Sequence, residues 1–308
     1  MARIAIAGAS GFVGGHLLRA ARAAGHDVAG LVRSERAAER VREAGGTPVQ
    51  LSDDEPALAR ALEGREALVH LAQIGSERGG TSYEAVNVGL TERLVGAARR
   101  AGVPRVVMFS GLGVAHYGQS RRVTSRYFLS KLTAETVAFG SGLDASVFRP
   151  SYVVGPGDAF VPSVLGAMRR GEVERPGDGS YRMQPIAVAD AAAAVLAAVG
   201  RPLGAFPTVF DLVGPEAIPY ARLLERVEAV ARRLGRDVRL RVREIEVAEA
   251  DRLARTAAGY QGMGPDELDC LLCDEVADAA PLASLLGRPL VPLDEALEVA
   301  VGDTPADA

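Results

Sequence analysis

Tyr127 and Lys131 stand four residues apart in the run Ser125-Arg126-Tyr127-Phe128-Leu129-Ser130-Lys131-Leu132-Thr133-Ala134-Glu135, a spacing that sets a phenol and an amine on one face of a helix. A free tyrosine, with a pKa of about 10, exchanges protons poorly at neutrality, and a neighbouring ammonium favours its phenolate. The pair is a workable general acid and base, and Lys131 can also hydrogen-bond a nucleotide ribose. A second chemical pattern opens the chain. The apolar run Arg3 to Ala7 leads into Gly8-Ala9-Ser10-Gly11-Phe12-Val13-Gly14. Gly8 permits a tight turn, Gly11 lets backbone N–H groups approach a pyrophosphate, and Gly14 lets the next helix pack closely. With Ser10, Phe12 and Val13 these residues are expected to seat a dinucleotide at a helix N-terminus. Glycines also follow strands for conformational reasons alone. Here a strand precedes them and the Ala- and Leu-rich helix His16 to Ala24 follows, the context a binding turn requires.

About twenty residues further on, an NAD-selective site presents an acidic side chain to the ribose 2′-OH. This chain has Arg33-Ser34 there, with Arg36 close by. A guanidinium matches a 2′-phosphate bidentately, and the missing carboxylate removes the repulsion that would exclude it. NADP(H) is therefore expected in preference to NAD(H), which stays open as the alternative, since arginines are also common on surface loops.

Positioning these groups calls for alternating strands and helices. Asp27 to Val32, Thr47 to Leu51, Ala67 to Leu71, Arg105 to Ser110 and Asp144 to Phe148 read as strands with helical patterns between them. The helix Ser82 to Arg100 carries Val86, Leu90, Leu94 and Ala97 at helical spacing, and Gly102 and Pro104 stop it. The implied fold class is α/β, a doubly wound parallel sheet covered on both faces. Ligands of such sheets gather at the carboxyl ends of the strands. That rule selects Gly8 to Gly14, Val32 to Arg36, Leu71 to Gly75, Ser110 to Gly113 and Arg149 to Val154. Leu71 and Ala72 are then cofactor contacts, and Gln73 offers an amide to substrate or cofactor. Leu112, His116 and Tyr117 are candidate substrate contacts, His116 reading equally well as an exposed loop histidine.

After Arg149-Pro150 the rhythm changes. Loops at Gly155 to Asp158 and Pro176 to Gly179, a strand at Thr208 to Val213, a helix at Tyr220 to Leu234 and a strand at Val238 to Val242 look like a smaller α+β lobe over the substrate. The expected division is 1–158 for the dinucleotide core and 159–308 mainly for the substrate lobe, with about 184–213 returning to the core. The 308 residues are 48% apolar and 24% charged with a formal charge of -4 and no basic run, which argues against nucleic acid and anionic membrane as partners and for a small molecule. No secretory signal is apparent and the apolar run Ala191 to Val199 is too short to span a bilayer, so a cytoplasmic location is expected. Cys270 and Cys273 form a CxxC, half a metal site or a redox pair in principle. Two packed core thiols are the simpler reading, and no metal is expected.

Together these features resemble the short-chain dehydrogenase/reductase superfamily, in its extended or atypical branch. Within it the chain is similar to the epimerase/dehydratase-like group and to the division related to the accessory NAD(P)-binding subunit of respiratory complex I. Besides GxxGxxG and YxxxK the likeness includes His70-Leu71-Ala72, Val86-Asn87-Val88, Gly102 to Val107, Arg149 to Asp158 and Gln184 to Asp190, and it covers nearly the whole chain. The resemblance implies a Rossmann-type sheet with a small C-terminal lobe, and puts Tyr127 and Lys131 in the catalytic positions. Pro150, Ser151, Tyr152 and Val153 would line the nicotinamide. Asn87, Gln184 and Asp190 would serve architecture, and the helices Ser82 to Arg100 and Thr124 to Phe139 would form a homodimer face.

Two departures stand out. The family's Ser-Ser pair after the fifth strand is here Ser110-Gly111, followed by Leu112. Ser110 is expected to hold the substrate oxygen, with Thr124 or Ser125 as substitutes. Gln50-Leu51-Ser52 stands where Gly-Asp-Leu is usual, and Asp53 could act only by shifting register. The leading expectation is an NADP(H)-dependent oxidoreductase acting on a carbonyl or secondary alcohol, with Tyr127 transferring the proton and Lys131 lowering its pKa. A redox-neutral epimerase or dehydratase on a sugar nucleotide or related metabolite is the second reading, and a non-catalytic NAD(P)-binding scaffold or redox-sensing subunit is the third.

Overall fold

Ile4 and Ile6 face one side of the first strand and Ala5 and Ala7 the other, and all four are fully buried, which requires helices on both faces of the sheet they enter. A computed structural model describes residues 1–204 and 208–305. Residues 205–207 and 306–308, which belong to the expected 159–308 lobe, lie outside the described residues. The first half alternates β1 (Arg3–Ala7), α1 (Phe12–Ala23), β2 (Asp27–Val32), α2 (Glu35–Glu43), β3 (Thr47–Gln50), α3 (Glu55–Leu62), β4 (Ala67–His70), α4 (Leu90–Arg100), β5 (Arg105–Phe109), α5 (Arg126–Phe139) and β6 (Asp144–Pro150). Then come β7 (Val153–Val154), α6 (Phe160–Arg169), β8 (Val173–Pro176), β9 (Arg182–Met183), β10 (Ile186–Ala187), α7 (Val188–Gly200), β11 (Thr208–Leu212), β12 (Ile218–Pro219), α8 (Tyr220–Arg233) and β13 (Val242–Ile245). The helices α9 (Val247–Ala254), α10 (Pro265–Leu271), α11 (Ala280–Leu286) and α12 (Leu293–Asp303) follow.

The main sheet has seven strands in the order β11-β6-β5-β4-β1-β2-β3, every neighbouring pair parallel. This is a Rossmann-like sheet whose strand order reverses between β1 and β4, opening a crevice at their carboxyl ends. One face buries Leu17, Leu18, Val107, Phe148 and Val195. The other buries Leu58, Leu68, Leu94, Met108 and Ala138. A separate core gathers Val161, Leu165, Leu223, Val227, Leu268 and Leu297 from α6, α8, α10 and α12, and this is what the sheet's carboxyl edge faces. Polar ties join the two regions. Gln184 donates to the Gly214 carbonyl at 2.8 Å and accepts from the Ala277 N–H at 2.9 Å. Asp190, fully buried, accepts from Arg288 and from the Val291 N–H, each at 2.6 Å.

The strand at 208–212, within the stretch of about 184–213 expected to return to the core, is the seventh strand of the main sheet, Thr208 to Leu212 pairing in parallel register with Ser146 to Pro150. Two local readings change. The strand expected at Val238 to Val242 lies instead at Val242–Ile245, where β8 supplies a parallel partner; alternation alone does not choose a register without that partner. The helix read from Ser82 begins as a π-helical turn, Glu84–Gly89, a form that tends to occur at functional sites. Among the described residues no helix is long and apolar enough to cross a membrane.

Candidate active site

At the crevice between β1 and β4 the glycine turn has no room for side chains. Gly8 sits at φ +88°, and a Cβ there would lie 2.8 Å from the Ala72 nitrogen; one on Gly14 would lie 2.0 Å from the Gly8 carbonyl oxygen. Gly11 donates to that carbonyl at 3.0 Å and forms the N-cap of α1 with no side-chain cap, so the first N–H groups of a twelve-residue helix face the crevice unsatisfied by the chain. His16 binds the Pro156 carbonyl at 2.8 Å and Phe12 packs edge-on against the His16 ring. Lys131 Nζ and Ser110 Oγ are two of several buried side-chain polar atoms that have no hydrogen-bond partner among the described residues. An unsatisfied buried amine is costly, so the cradle and these two atoms together fit a dinucleotide and a substrate oxygen.

Beyond the turn a cleft of about 350 Å³ is lined by Gly8, Ser10, Arg33, Ser34, Arg36, Arg40 and Ala72. Ser34 caps α2, its hydroxyl accepting from the Ala37 N–H at 3.3 Å. Arg40 did not emerge from the sequence. It lies one helical turn beyond Arg36 on α2, a signal that was legible once that helix was drawn. Asp53 has its side chain 97% exposed, facing Arg93 at 3.5 Å, and does not line this cleft.

Gly113 lets the helix α5, which carries Tyr127 and Lys131, approach, since a Cβ there would fall 2.4 Å from the Phe128 ring. Tyr127 is half-buried beside it, with Lys131 Nζ over its ring at 5.6 Å from the centroid. Glu135, on the same helix, holds Arg149 of β6 bidentately at 2.9 and 2.6 Å. Asn87, from the π turn, accepts from the Ile74 N–H at 2.9 Å and donates to the Ile74 carbonyl and to Ser130 Oγ, each at 3.0 Å. It thereby ties the loop after β4 to α5, the architectural part expected of it. Tyr83 packs edge-on against Tyr127 at 5.8 Å and donates to the Gly75 carbonyl at 2.9 Å.

The electrostatics reverse one expectation. Burial pushes the Tyr127 phenol well above the ordinary tyrosine range, and Cys270 and Glu275 push it further. Burial also brings the Lys131 ammonium down to about 7, against the pull of Glu135 and Cys270. The chain alone therefore keeps the phenol protonated, because desolvation outweighs one ammonium that is itself being neutralised. His70 is held neutral as well, brought down to about 3 by burial and then by Lys131.

Tyr127 opens onto a cavity of about 940 Å³ between the sheet edge and the lobe, lined also by Gly75, Tyr152, Phe160, Tyr220, Met263 and Cys270. The profile of the NAD dependent epimerase/dehydratase family matches residues 4–209, more than half of the chain. The chain belongs to this family. It is 29% identical over 251 residues to a 4-hydroxy-2-methyl-3-oxo-4-farnesyl-3,4-dihydroquinoline-1-oxide ketoreductase of Stigmatella aurantiaca, covering 76% of this chain and 75% of that one. It is 24% identical over 241 residues to the mitochondrial NADH dehydrogenase [ubiquinone] 1 alpha subcomplex subunit 9 of Arabidopsis thaliana, covering 76% and 59%. In fold it is similar to MoeE5 solved with UDP-glucose and NAD, at a TM-score of 0.73, 23% identity and 98% coverage of both chains. The chain is thus an NAD(P)-dependent enzyme of the extended short-chain dehydrogenase/reductase type.

Within this member of the epimerase/dehydratase family several candidate residues lie apart from the cavity. Leu112 is 1% exposed and packed in the interior. His116 is exposed, and the acidic group it influences is Asp211 at the sheet edge. Tyr117 packs against Val114, Val123, Phe128 and Cys273. Gln73 is half-buried and is not among the residues lining the cavity. The proposed substitutes for the second serine are committed elsewhere: Thr124 donates to the Arg121 carbonyl at 2.6 Å, and Ser125 caps α5 by accepting from the Phe128 N–H at 3.4 Å. Ser110, 1% exposed and, like Gln73, not among the residues lining the cavity, keeps an uncommitted hydroxyl among the described residues. A Cβ on Gly111 would meet the Tyr127 hydroxyl at 3.6 Å, an ordinary contact, so a side chain as small as serine has room to begin at this position. Pro150 ends β6, Ser151 is buried, and Tyr152 and Val153 are half-buried at the same sheet edge. Leu71 and Ala72, half-buried, leave β4 beside Gly8. Cys273 is buried but Cys270 faces the cavity, and burial raises both thiols, Cys273 to about 12. Both shifts disfavour the thiolate through which cysteines exchange and oxidise.

Glu275 carried no sequence motif. It is 7% exposed, lies against Ser151 with Oε2 accepting from Oγ at 3.3 Å, and is pushed up to about 8 by burial, against the pull of Ser151. Between the ordinary carboxylate value and about 8 the folded chain keeps a proton that the unfolded chain has released, so stability falls as pH rises through that window. Glu275→Gln stays neutral throughout. Its Tm is expected to match the parent near about pH 5 and exceed it by about 5 °C near about pH 8.5; parallel curves in thermal melts would show that the carboxyl is not held neutral.

Proposed function

We propose that the protein is an NADP(H)-dependent reductase of a small-molecule carbonyl, with Tyr127 as proton donor. The observation that carries this reading is a phenol at the wall of a large cavity, on the helix that also buries a Lys131 amine with no hydrogen-bond partner among the described residues. When bound, a reduced nicotinamide supplies a hydride to the carbonyl carbon. Tyr127 gives its proton to the oxygen as charge develops there, and the Ser110 hydroxyl donates to the same oxygen. Lys131, close to half-ionised near neutrality, stabilises the phenolate left behind. The glycine turn and the first N–H groups of α1 hold the phosphates, Pro150 to Val153 line the nicotinamide, and Arg33 and Arg36 take the 2′-phosphate. In this reading residues 1–158 carry the cofactor and 159–308 mainly the substrate. Reduction is supported further by the ketoreductase to which the chain is similar. A homodimer through α4 and α5 is supported by Leu129, 47% exposed on α5.

The test is incubation with NADPH and a panel of ketones and aldehydes. Loss of nicotinamide absorbance with equimolar alcohol is expected. Isomerised product without net absorbance change would replace the reductase with a redox-neutral epimerase or dehydratase, and tight cofactor binding with no turnover would leave a binding scaffold.

A further inference from the structure

We infer that the cavity beside Tyr127 selects a mainly apolar carbonyl compound, a ketone or aldehyde on an alkyl or ring skeleton, and rejects substrates carried on a nucleoside diphosphate. This deepens the reductase reading and rests on it. Tyr152, Phe160 and Tyr220 form one aromatic wall, with successive ring centroids 5.8 and 6.4 Å apart. Val164, Met263 and Leu271 line the remainder of the apolar surface. Burying a substrate's methylenes against such a wall releases free energy in proportion to the area covered.

The charged groups around the same space point the same way. A diphosphate needs paired cations or a helix N-terminus. The N-terminus of α6 reaches this cavity at Ala159, but Asp158 already occupies it, its carboxylate accepting from the Val161 N–H at 2.8 Å, and Glu172, Glu174 and Glu267 add negative charge to the lining. The guanidiniums nearest to them are engaged: Arg243 pairs with both Glu172 and Glu174, and Arg78 pairs with Glu267 at 2.6 Å. Arg170 alone among the lining cations remains, exposed and without an ion-pair partner among the described residues. It is also the C-cap of α6, and the negative end of that helix dipole opposes a second anionic charge there.

The experiment measures kcat/KM with NADPH for methyl ketones lengthened from hexanone to decanone, alongside UDP-glucose. The specificity constant is expected to rise about fourfold per added methylene until the cavity is filled, and UDP-glucose is expected neither to react nor to bind at millimolar concentration. Met263→Asp should flatten the chain-length dependence while leaving the Kd for NADPH unchanged, and Ala167→Asp on the α6 wall gives a second variant should the first fold poorly. A flat dependence in the parent, or UDP-glucose held more tightly than decanone, overturns the inference. Equilibrium dialysis of decanone against the NADPH-loaded protein separates the two levels: binding without turnover supports the ligand class while sinking the reductase, and no binding sinks the ligand class itself.

Discussion

Tyr127→Phe is expected to lower kcat by about three powers of ten while leaving the Kd for NADP(H) within about twofold, because the ring's packing is kept and only the proton donor is lost. The ring meets Tyr83 and Phe128 at 5.8 and 5.3 Å between centroids, contacts that phenylalanine reproduces. Burial, and then Cys270 and Glu275, hold the proton on the hydroxyl. A general acid that stays protonated at neutrality suits carbonyl reduction, where a proton must be delivered as the oxygen gains charge. Stopped-flow or steady-state oxidation of NADPH against a reactive ketone reads the effect. Turnover undiminished in the phenylalanine variant, with cofactor bound normally, would remove Tyr127 from the chemistry.

The double variant Arg33→Ala/Arg36→Ala is expected to weaken NADP(H) about a hundredfold, since each charge-assisted contact to a phosphate contributes about 1.5 to 3 kcal/mol, and to leave NAD(H) within about threefold. Both guanidiniums are exposed, line the cleft beside Ser34 and have no carboxylate partner among the described residues. Since the site is solvent-facing, the discrimination should shrink as salt is raised. Arg40→Ala, one turn along α2, measures how far the third guanidinium shares the load. Equal dissociation constants for NADP and NAD in the parent, unmoved in the double variant, would assign these arginines to the surface alone.

The cradle was legible because each of its signals lies within one turn or one strand. Ile4 and Ile6 alternate with Ala5 and Ala7, the glycines fall at steric contacts with Ala72 and with one another, and Tyr127 and Lys131 share a helix face. Asn87 was read as architecture and is the clamp between Ile74 and Ser130. The lobe read less well. Its short strands exist only where a distant partner meets them, as β13 meets β8, and periodicity in so short a run cannot name that partner.

What the sequence by itself determined is the first six strands of the parallel sheet, the glycine turn after the first of them and the placing of a phenol and an amine on one helix face, because backbone sterics and helical periodicity act over a few residues. What only the tertiary structure decided is the protonation of that pair and the shape of the cavity above it. Cys270 and Glu275 reach Tyr127 from the far end of the chain, and burial, which sets the direction of each pKa, is a property of everything packed around a group and of nothing in its own local run of residues.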